Sequence, residues 1–161
     1  MDVLWAPWRM AYVTGPKTPG CIFCIAADTP ERREHLVLVQ RPAVVMLNRF
    51  PYAYGHLMVA PRTHAADFAS LSSDQLSDVA DVLHRTVTLL AEELQPQGFN
   101  VGINLGVAAG AGVADHLHWH IVPRWVGDAN FMPLLAEVRV MPAHLESIYD
   151  RLLPVLGGSS A

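Results

Sequence analysis

Three histidines, His116, His118 and His120, alternate with apolar residues in the last third of the chain. In a helix, side chains at i, i+2 and i+4 point in different directions, whereas in a β-strand they share one face. The spacing therefore predicts a strand with one apolar face and one face of three imidazoles. Imidazole is the side chain that most often transfers protons, attacks as a nucleophile or binds a metal near neutral pH. The pattern indicates a chemical site.

The middle histidine is the natural nucleophile of such a row, because it has an imidazole on each side. An attacking imidazole must present a lone pair, so its other ring nitrogen should donate a proton to a carbonyl. For His118 we expect that carbonyl on the facing strand. His35, His84 and His144 are interpreted as surface or boundary residues. His56 is expected to pack at the start of a strand, with contact to the site as the less favoured alternative.

A glycine-rich loop precedes the histidines and ends in small residues. The backbone N–H groups of such a loop can approach an anion closely, which predicts a phosphate cradle, although the loop lacks the GxxxxGK[ST] of a P-loop. The predicted cradle residues are Gly110, Ala111, Gly112 and Val113. Arg124, just beyond the histidine strand, either contacts phosphate or forms a salt bridge with a nearby carboxylate.

The two cysteines of the chain, Cys21 and Cys24, form a C-x-x-C pair. Such a pair occurs as a redox couple, as half of a metal site or by chance. No βαβ pattern surrounds it, and a closed structural zinc site needs four ligands. A zinc site therefore requires two more ligands from elsewhere in the chain.

Short β-type runs and two helical patterns must position these residues. The predicted strands are 36–39, 44–47, 56–60, 99–105 and 117–122. A long helix should begin at a capping box of Ser72 and Gln75, and a last helix should open near Pro142 and end at Pro154. The apolar stripe of the long helix is Leu76, Val79, Leu83, Val87, Leu90 and Leu94. These elements predict the α+β class, with a five-stranded antiparallel sheet and two main helices on one side.

The length of 161 residues suits one domain, and 52% apolar residues argue against disorder. A net charge of −4 argues against a large nucleic-acid interface. No apolar run approaches the roughly 20 residues of a membrane span, and the N-terminus lacks a secretory pattern, so we expect a cytoplasmic protein with no membrane partner. We divide the chain into a Trp/Pro-rich arm (1–20), a core (21–125) and a C-terminal segment (126–161) of the same domain.

The segment from His116 to Val122 resembles the His-φ-His-φ-His-φ-φ signature of the histidine-triad superfamily of nucleotide hydrolases and transferases. Leu47-Asn48-Arg49, followed by Pro51 and Gly55-His56, is similar to the ribose-side strand and loop of the fragile-histidine-triad branch. The Trp-rich opening and the stretch 124–131 are similar to bacterial diadenosine tetraphosphate phosphorylase-like members. The resemblance covers about residues 21 to 125.

The resemblance implies that His118 attacks the α-phosphorus of an adenosine-type nucleotide, with a dinucleoside polyphosphate as the expected substrate, to give a nucleotidyl-histidine. His120 would support the phosphoryl oxygens, Asn48 the ribose hydroxyls and Asn104 the phosphate. The alternatives are a diadenosine tetraphosphate phosphorylase that uses inorganic phosphate, a nucleoside phosphoramidate or adenylylsulfate hydrolase, and a non-catalytic nucleotide-binding zinc protein.

The resemblance also implies a structural zinc ion and a homodimer. Zinc-bearing members use a histidine after a Pro-x-x turn and the first histidine of the triad, which correspond to His64 and His116 beside the two cysteines. Many members carry Gln and Ser just before the triad. Gly112 and Val113 occupy those places here, so only backbone N–H groups remain to assist a leaving group.

Overall fold

The computed structural model describes residues 20–128 and 144–159. Its five strands form one antiparallel sheet in the order β1-β2-β3-β5-β4. The strands are β1 (Val37–Val39), β2 (Val44–Leu47), β3 (Leu57–Ala60), β4 (Gly98–Ile103) and β5 (Trp119–Arg124). The predicted α+β class and antiparallel sheet are confirmed.

Both faces of the sheet are covered, which explains why β2 and β3 read as continuous apolar runs rather than as alternating ones. All four residues of each strand are buried. One face packs on a cluster that includes Val45, Leu47 and Val59, while Val44 and Met46 point to a second cluster on the other face. The site residues lie on this second face, because His120 pairs with Met58 across β5 and β3.

The long helix α2 (Ser73–Leu94) begins at the predicted capping box. The Ser72 side chain accepts a hydrogen bond from the Gln75 backbone, and the Gln75 side chain accepts one from the Ser72 backbone. Val79, Leu90 and Leu94 of the predicted stripe are buried in the first cluster. The last helix, α3 (Leu145–Leu156), packs into the same cluster, and Tyr149 of this helix donates its hydroxyl proton to the Val37 carbonyl at 3.1 Å.

The prediction that Pro154 ends the last helix was wrong, because the helix continues to Leu156 with Pro154 inside it. Burial of Leu152 and Leu156 against the sheet holds the last turn together despite the missing proline N–H. The opening predicted near Pro142 lies outside the described residues.

A third helix, α1 (Ile22–Asp28), was not predicted, because the short C-x-x-C segment has too few residues to show a helical period. It contains Cys24 and packs Phe23, Ala26 and Ala27 on the second face of the sheet, opposite α2 and α3. Helices therefore cover both faces. The predicted arm, apart from Gly20, lies outside the described residues. Within the described ranges, no helix has the length and apolarity needed to cross a bilayer.

Candidate active site and metal centre

The alternation of the three histidines predicted that all of them lie in one paired strand. The structure shows that they do not. Only His120 belongs to β5, which begins at Trp119, whereas His116 and His118 lie in the extended segment before it. His116 and His118 are almost completely buried, and His120 is half-buried. This segment and β5 place the imidazole of His116 beside the cysteines and those of His118 and His120 on the second face of the sheet.

The ring of His118 is held by a hydrogen bond from Nδ1 to the carbonyl of His116, at 2.9 Å. The partner is therefore a carbonyl two residues earlier and not one on the facing strand, because the chain at this point has not yet joined the ladder. Burial lowers the pKa of His118. A neutral ring that donates its proton through Nδ1 presents a lone pair at Nε2, which is the state that a nucleophile needs.

A hydrogen-bonded chain assigns the tautomers of two further histidines. The backbone N–H of Tyr52 donates to Nδ1 of His56 at 3.0 Å, so the proton of the neutral ring resides on Nε2. This Nε2 lies 2.9 Å from Nδ1 of His120 and donates to it. Burial, with a smaller effect of the neighbouring imidazoles, lowers the pKa of His56 to about 3 and that of His120 to about 4. Neutral His120 therefore carries its own proton on Nε2, where it can donate to an anion.

Aromatic rings surround these imidazoles. The Tyr52 ring lies 4.7 Å from His56 and 5.8 Å from His120, measured between centroids. Phe23 stacks on His118 at 4.8 Å with an interplanar angle of 29°. The site thus combines the predicted nucleophile, His118, with a proton-bearing imidazole between aromatic side chains, a setting that strengthens electrostatic interactions with a charged ligand.

Two backbone N–H groups of the predicted phosphate cradle already donate hydrogen bonds within the loop. The amides of Gly110 and Ala111 donate to carbonyls of their own loop, at Val107 and Gly106. Val113 packs its side chain on the second cluster. The cradle stays a prediction, and in this conformation Gly110 and Ala111 cannot contribute to it.

The three other predicted binding residues occupy different positions. Asn48 follows β2 and accepts a hydrogen bond from the Phe50 backbone through Oδ1, at 2.9 Å. Asn104 follows β4, whose last paired residue faces Trp119, so Asn104 and His118 come next in the register. Arg124 forms the salt bridge that was the alternative to phosphate: its guanidinium donates to Asp128 at 2.6 and 2.8 Å and to Asn100 at 2.7 Å.

The predicted metal ligands come together. The donor atoms of Cys21, Cys24, His64 and His116 all lie within 4.8 Å of one another. Nδ1 of His116 is 3.2 Å from the Cys21 sulfur, and Nδ1 of His64 is 3.3 Å from the Cys24 sulfur. A tetrahedral zinc site has ligand–ligand edges of about 3.3–3.8 Å, so these two separations suit that ion. The widest separation, up to 4.8 Å, would have to shorten by about 1 Å when the metal binds.

The surroundings of the ligands also suit a metal. Nε2 of His116 donates to the Pro61 carbonyl at 2.9 Å, which leaves its Nδ1 lone pair directed at the sulfurs. Such a second hydrogen bond commonly orients a metal-bound histidine. Burial lowers the pKa of His116 and so favours the neutral, ligating form. The residues present fit a structural zinc ion.

Comparison with known proteins agrees with this geometry. Residues 29–126, more than half of the chain, match the family model for the HIT domain. The chain belongs to the HIT domain family. The AP-4-A phosphorylase of Mycobacterium tuberculosis is 32% identical over 148 residues, which cover 86% of this chain and 76% of that protein.

Two further HIT relatives are informative. The adenosine 5'-monophosphoramidase of Schizosaccharomyces pombe is 31% identical over 109 residues, which cover 65% of this chain and 74% of that protein. A zinc-bound histidine triad family protein from Mycobacterium smegmatis has a solved structure that superposes with a TM-score of 0.66 and 27% identity. The superposition covers 86% of this chain and 94% of that chain.

Two residues of the HIT site were missed by sequence reasoning. Packing was the favoured interpretation of His56 and site contact the lesser alternative, yet His56 is completely buried and bonded to His120. The sequence could have indicated this bond, because an imidazole that packs in a core needs hydrogen-bond partners for its ring nitrogens. Phe23 was not singled out, because the implied zinc site placed the cysteines near His116 but did not indicate which side chain of their segment would contact His118.

Proposed function

We propose that this HIT protein cleaves the α-phosphate linkage of an adenosine-type nucleotide, with a dinucleoside polyphosphate as substrate. The observation that carries the proposal is the fixed tautomer of His118, whose Nδ1–H···O=C bond to His116 leaves Nε2 as the attacking atom. The AP-4-A phosphorylase and adenosine 5'-monophosphoramidase among the relatives support this class of substrate.

The reaction takes two displacements. Nε2 of His118 forms a bond to the α-phosphorus, and the bond from phosphorus to the leaving-group oxygen breaks with its electron pair. The Nε2–H of His120 donates to the phosphoryl oxygens, on which charge develops. An acceptor oxygen then attacks the phosphorus, and the P–N bond electrons return to His118. Asn48 would bind the ribose, and Asn104 the phosphate.

The leaving group is best a phosphate rather than an amine. With the pKa values of His56 at about 3 and His120 at about 4, both rings are neutral at pH 7 and are poor acids. The positions before the triad, Gly112 and Val113, carry no side-chain hydroxyl. A polyphosphate departs as an anion and needs no proton, whereas an amine must gain one.

Inorganic phosphate is favoured as the second acceptor for the same reason, which makes a phosphorylase the second candidate function. A water molecule must lose a proton as it attacks, but His120 presents Nε2–H rather than a lone pair on the substrate side. Phosphate attacks as an anion and needs no base. Added phosphate should therefore yield a nucleoside diphosphate from diadenosine tetraphosphate.

We also propose that the four-ligand cluster binds zinc, supported by the zinc-bound relative and by the donor geometry. Zinc would supply cross-linking of α1 to the histidine segment rather than chemistry on the substrate. The two cysteines are free thiols, and ligation requires that they stay reduced, which supports a cytoplasmic location.

A homodimer is proposed through β4, which lies at the edge of the described sheet. The Val101 side chain of this strand is half exposed, and edge strands offer unpaired backbone groups to a second copy. Equilibrium sedimentation should give twice the chain mass of 17.6 kDa. A monomer mass at micromolar concentration would contradict the dimer.

The experiment that tests the function is mass spectrometry of the intact protein after brief mixing with diadenosine tetraphosphate. We expect an added adenylyl group on His118 and none in His118→Asn, which should also lose turnover while still binding nucleotide. His84→Asn, on the outer side of α2 and away from the site, is the matched control and should behave as wild type. Turnover that survives in His118→Asn would refute the nucleophile, and no turnover in wild type would favour a non-catalytic zinc protein.

A further inference from the structure

The two groups that fix the ring of His118 both belong to segments that carry metal ligands. The carbonyl that accepts its Nδ1 proton is that of His116. One face of the ring is covered by Phe23, which lies between Cys21 and Cys24 in the chain. The predicted nucleophile and the four-ligand cluster therefore share their supports.

Phe23 contacts both a predicted metal ligand and the predicted nucleophile. It is completely buried, and its ring lies 4.8 Å from that of His118 and 5.1 Å from that of His116, measured between centroids. The interplanar angles are 29° and 50°. A nearly parallel aromatic ring at this distance restricts the orientations that His118 can adopt.

The helix that carries Phe23 has little stability of its own. α1 is seven residues long, and its N-cap residue, Cys21, makes no capping hydrogen bond through its side chain. Helices this short are marginal in water, so contacts with the rest of the molecule must hold α1 in place. The C-terminal end of α1 is held by Gln40 and Arg62, which donate to the carbonyls of Ala26 and Ala27 at 3.0 and 2.6 Å. The N-terminal end depends on the thiols that face His64 and His116 and on the buried side chain of Phe23.

We propose that Phe23 is a positioning residue that couples occupancy of the metal cluster to the orientation of His118. With a cation in the cluster, both ends of the C-x-x-C segment are held and Phe23 keeps the His118 ring aligned with the His116 carbonyl. Without it, the N-terminal end of α1 loses its polar anchor while the C-terminal end stays bound to Gln40 and Arg62. Phe23 then shifts, and the His118 ring leaves this alignment. The consequence for catalysis rests on the function proposed above, but the ring orientation can be measured without turnover.

The first test is NMR of the His118 ring in the full chain. A buried Nδ1–H that is bonded to a carbonyl exchanges slowly with water and gives a ring N–H signal, assigned by its loss in His118→Asn. We expect this signal in the zinc-loaded protein, its shift or broadening after chelation below the melting temperature, and its return with one equivalent of zinc. In Phe23→Leu the Nδ1 proton should exchange with water faster than in wild type even with zinc bound, which a lost ring current alone would not cause.

Two controls separate positioning from loss of metal or of stability. The first control replaces zinc with cobalt(II), whose bonds to thiolates give a characteristic absorption band. With one equivalent of cobalt(II), Phe23→Leu should absorb as strongly as wild type, which would show that its metal site is intact. Leu152→Ala removes a buried side chain on the opposite face of the sheet and should lower the melting temperature while leaving the His118 signal unchanged.

The second test is the rate at which His118 becomes adenylylated in a single turnover. In Phe23→Leu we expect this rate to fall about tenfold with nearly unchanged nucleotide affinity, because orientation of the attacking atom is lost. Weaker nucleotide binding at an unchanged rate would overturn the proposal and make Phe23 a substrate contact. So would a wild-type exchange rate of the His118 Nδ1 proton in Phe23→Leu, or a wild-type His118 signal in the chelated protein. If wild type forms no adduct, the proposed function fails, while the NMR result still decides the positioning role.

Discussion

The chemistry of this HIT protein depends on imidazoles that are kept neutral. The pKa values of His56 and His120 lie far below the usual range because burial penalises the charged form, and their neighbours add to the effect. Each ring then has one donor and one acceptor nitrogen, and the neighbouring groups decide which is which. The Tyr52 N–H and the His116 carbonyl are the two backbone groups that set this polarity.

Replacement of His56 tests directly which ring nitrogen of His120 carries the proton. In His56→Phe, the Tyr52 N–H and Nδ1 of His120 lose their partner, so the proton of His120 is free to move to the wrong nitrogen. We expect the adenylylation rate to fall about 10²-fold, the typical cost of losing one oriented donor. Single-turnover kinetics provide the measurement.

His56→Gln is the matched variant, because its carbonyl can accept from Tyr52 and its amide can donate to His120. This variant should retain activity within about tenfold of wild type. Equal losses in the Phe and Gln variants would contradict the role of the hydrogen bonds.

The depressed pKa of His56 also predicts a loss of stability in acid. In the folded protein His56 stays neutral down to about pH 3, whereas in the unfolded chain it takes a proton near its ordinary value of 6.5. Between these pH values the unfolded state binds more protons, so the free energy of unfolding falls as the pH is lowered from 6.5. The stabilisation is fully present above 6.5, and His120 contributes with the same sign down to about pH 4.

Urea unfolding between pH 6.5 and 4.5 measures this effect. His56→Gln lacks one titrating group, so its stability should decline less steeply, by up to about 1.4 kcal/mol per pH unit. Release of metal in acid affects both proteins alike and cancels in the difference. Identical slopes for the two proteins would show that His56 is not buried as a neutral group.

The elements position these rings through tight connections. The turn before β3 passes between helix α2 and strand β5, and Gly55 in this turn has a φ of +73°. A Cβ at Gly55 would lie 2.8 Å from the Leu94 side chain and 3.4 Å from Pro123. Glycine is therefore required here for two reasons, a left-handed backbone and a close approach, and the next residue is His56.

Gly55→Ala should both destabilise the fold and displace His56. The left-handed conformation costs a non-glycine residue about 1–2 kcal/mol, and overpacking against Leu94 adds roughly 1–3 kcal/mol. Gly127→Ala is the control, because Gly127 has a φ of +82° but a Cβ there would meet no atom within 4 Å. Thermal unfolding should rank wild type above Gly127→Ala above Gly55→Ala, with adenylylation slowed only in the last. Equal melting temperatures for the two variants would remove the packing argument.

At the scale of the whole molecule, the four-ligand cluster joins segments that are far apart in the chain. Cys21 on the α1 side and His116 beside β5 are 95 residues apart in the chain, yet their ligand atoms lie 3.2 Å apart. A cross-link that closes a loop of this length is worth roughly 4.7 kcal/mol in the chain-entropy view. The cluster thus joins the beginning of the described fold to the strand that carries the active site.

Removal of zinc should therefore lower the melting temperature by about 10 °C, at roughly 2–4 °C per kcal/mol for a chain of this size. The measurement is a thermal scan of the purified protein before and after treatment with a chelator. Cys24→Ser, which removes one ligand, should melt at the temperature of the chelated wild type and should not respond to chelator. A melting temperature that is unchanged by chelation would refute the structural zinc ion.

Local patterns in the chain were sufficient to predict much of the fold. The capping box at Ser72 and the stripe of α2 involve residues three or four apart, and their structure follows from helix geometry alone. The C-x-x-C pair and the alternating histidines are likewise local patterns. The pairing of the cysteines with His64 and His116 came from family resemblance, and the structure brings the four together.

Contacts between distant segments could not be read in this way. The bond from His56 to His120 joins residues 64 apart, and Phe23 reaches His118 from a helix that has no sequence signature. Arg124 had two equally reasonable partners, and only folding selects the salt bridge, because the turn after β5 brings Asp128 beside it and strand β4 brings Asn100. The residue types and their spacing thus settled which chemistry is available. Folding settled which nitrogen of each ring carries the proton, because that depends on the neighbours that the sheet and α1 bring to it.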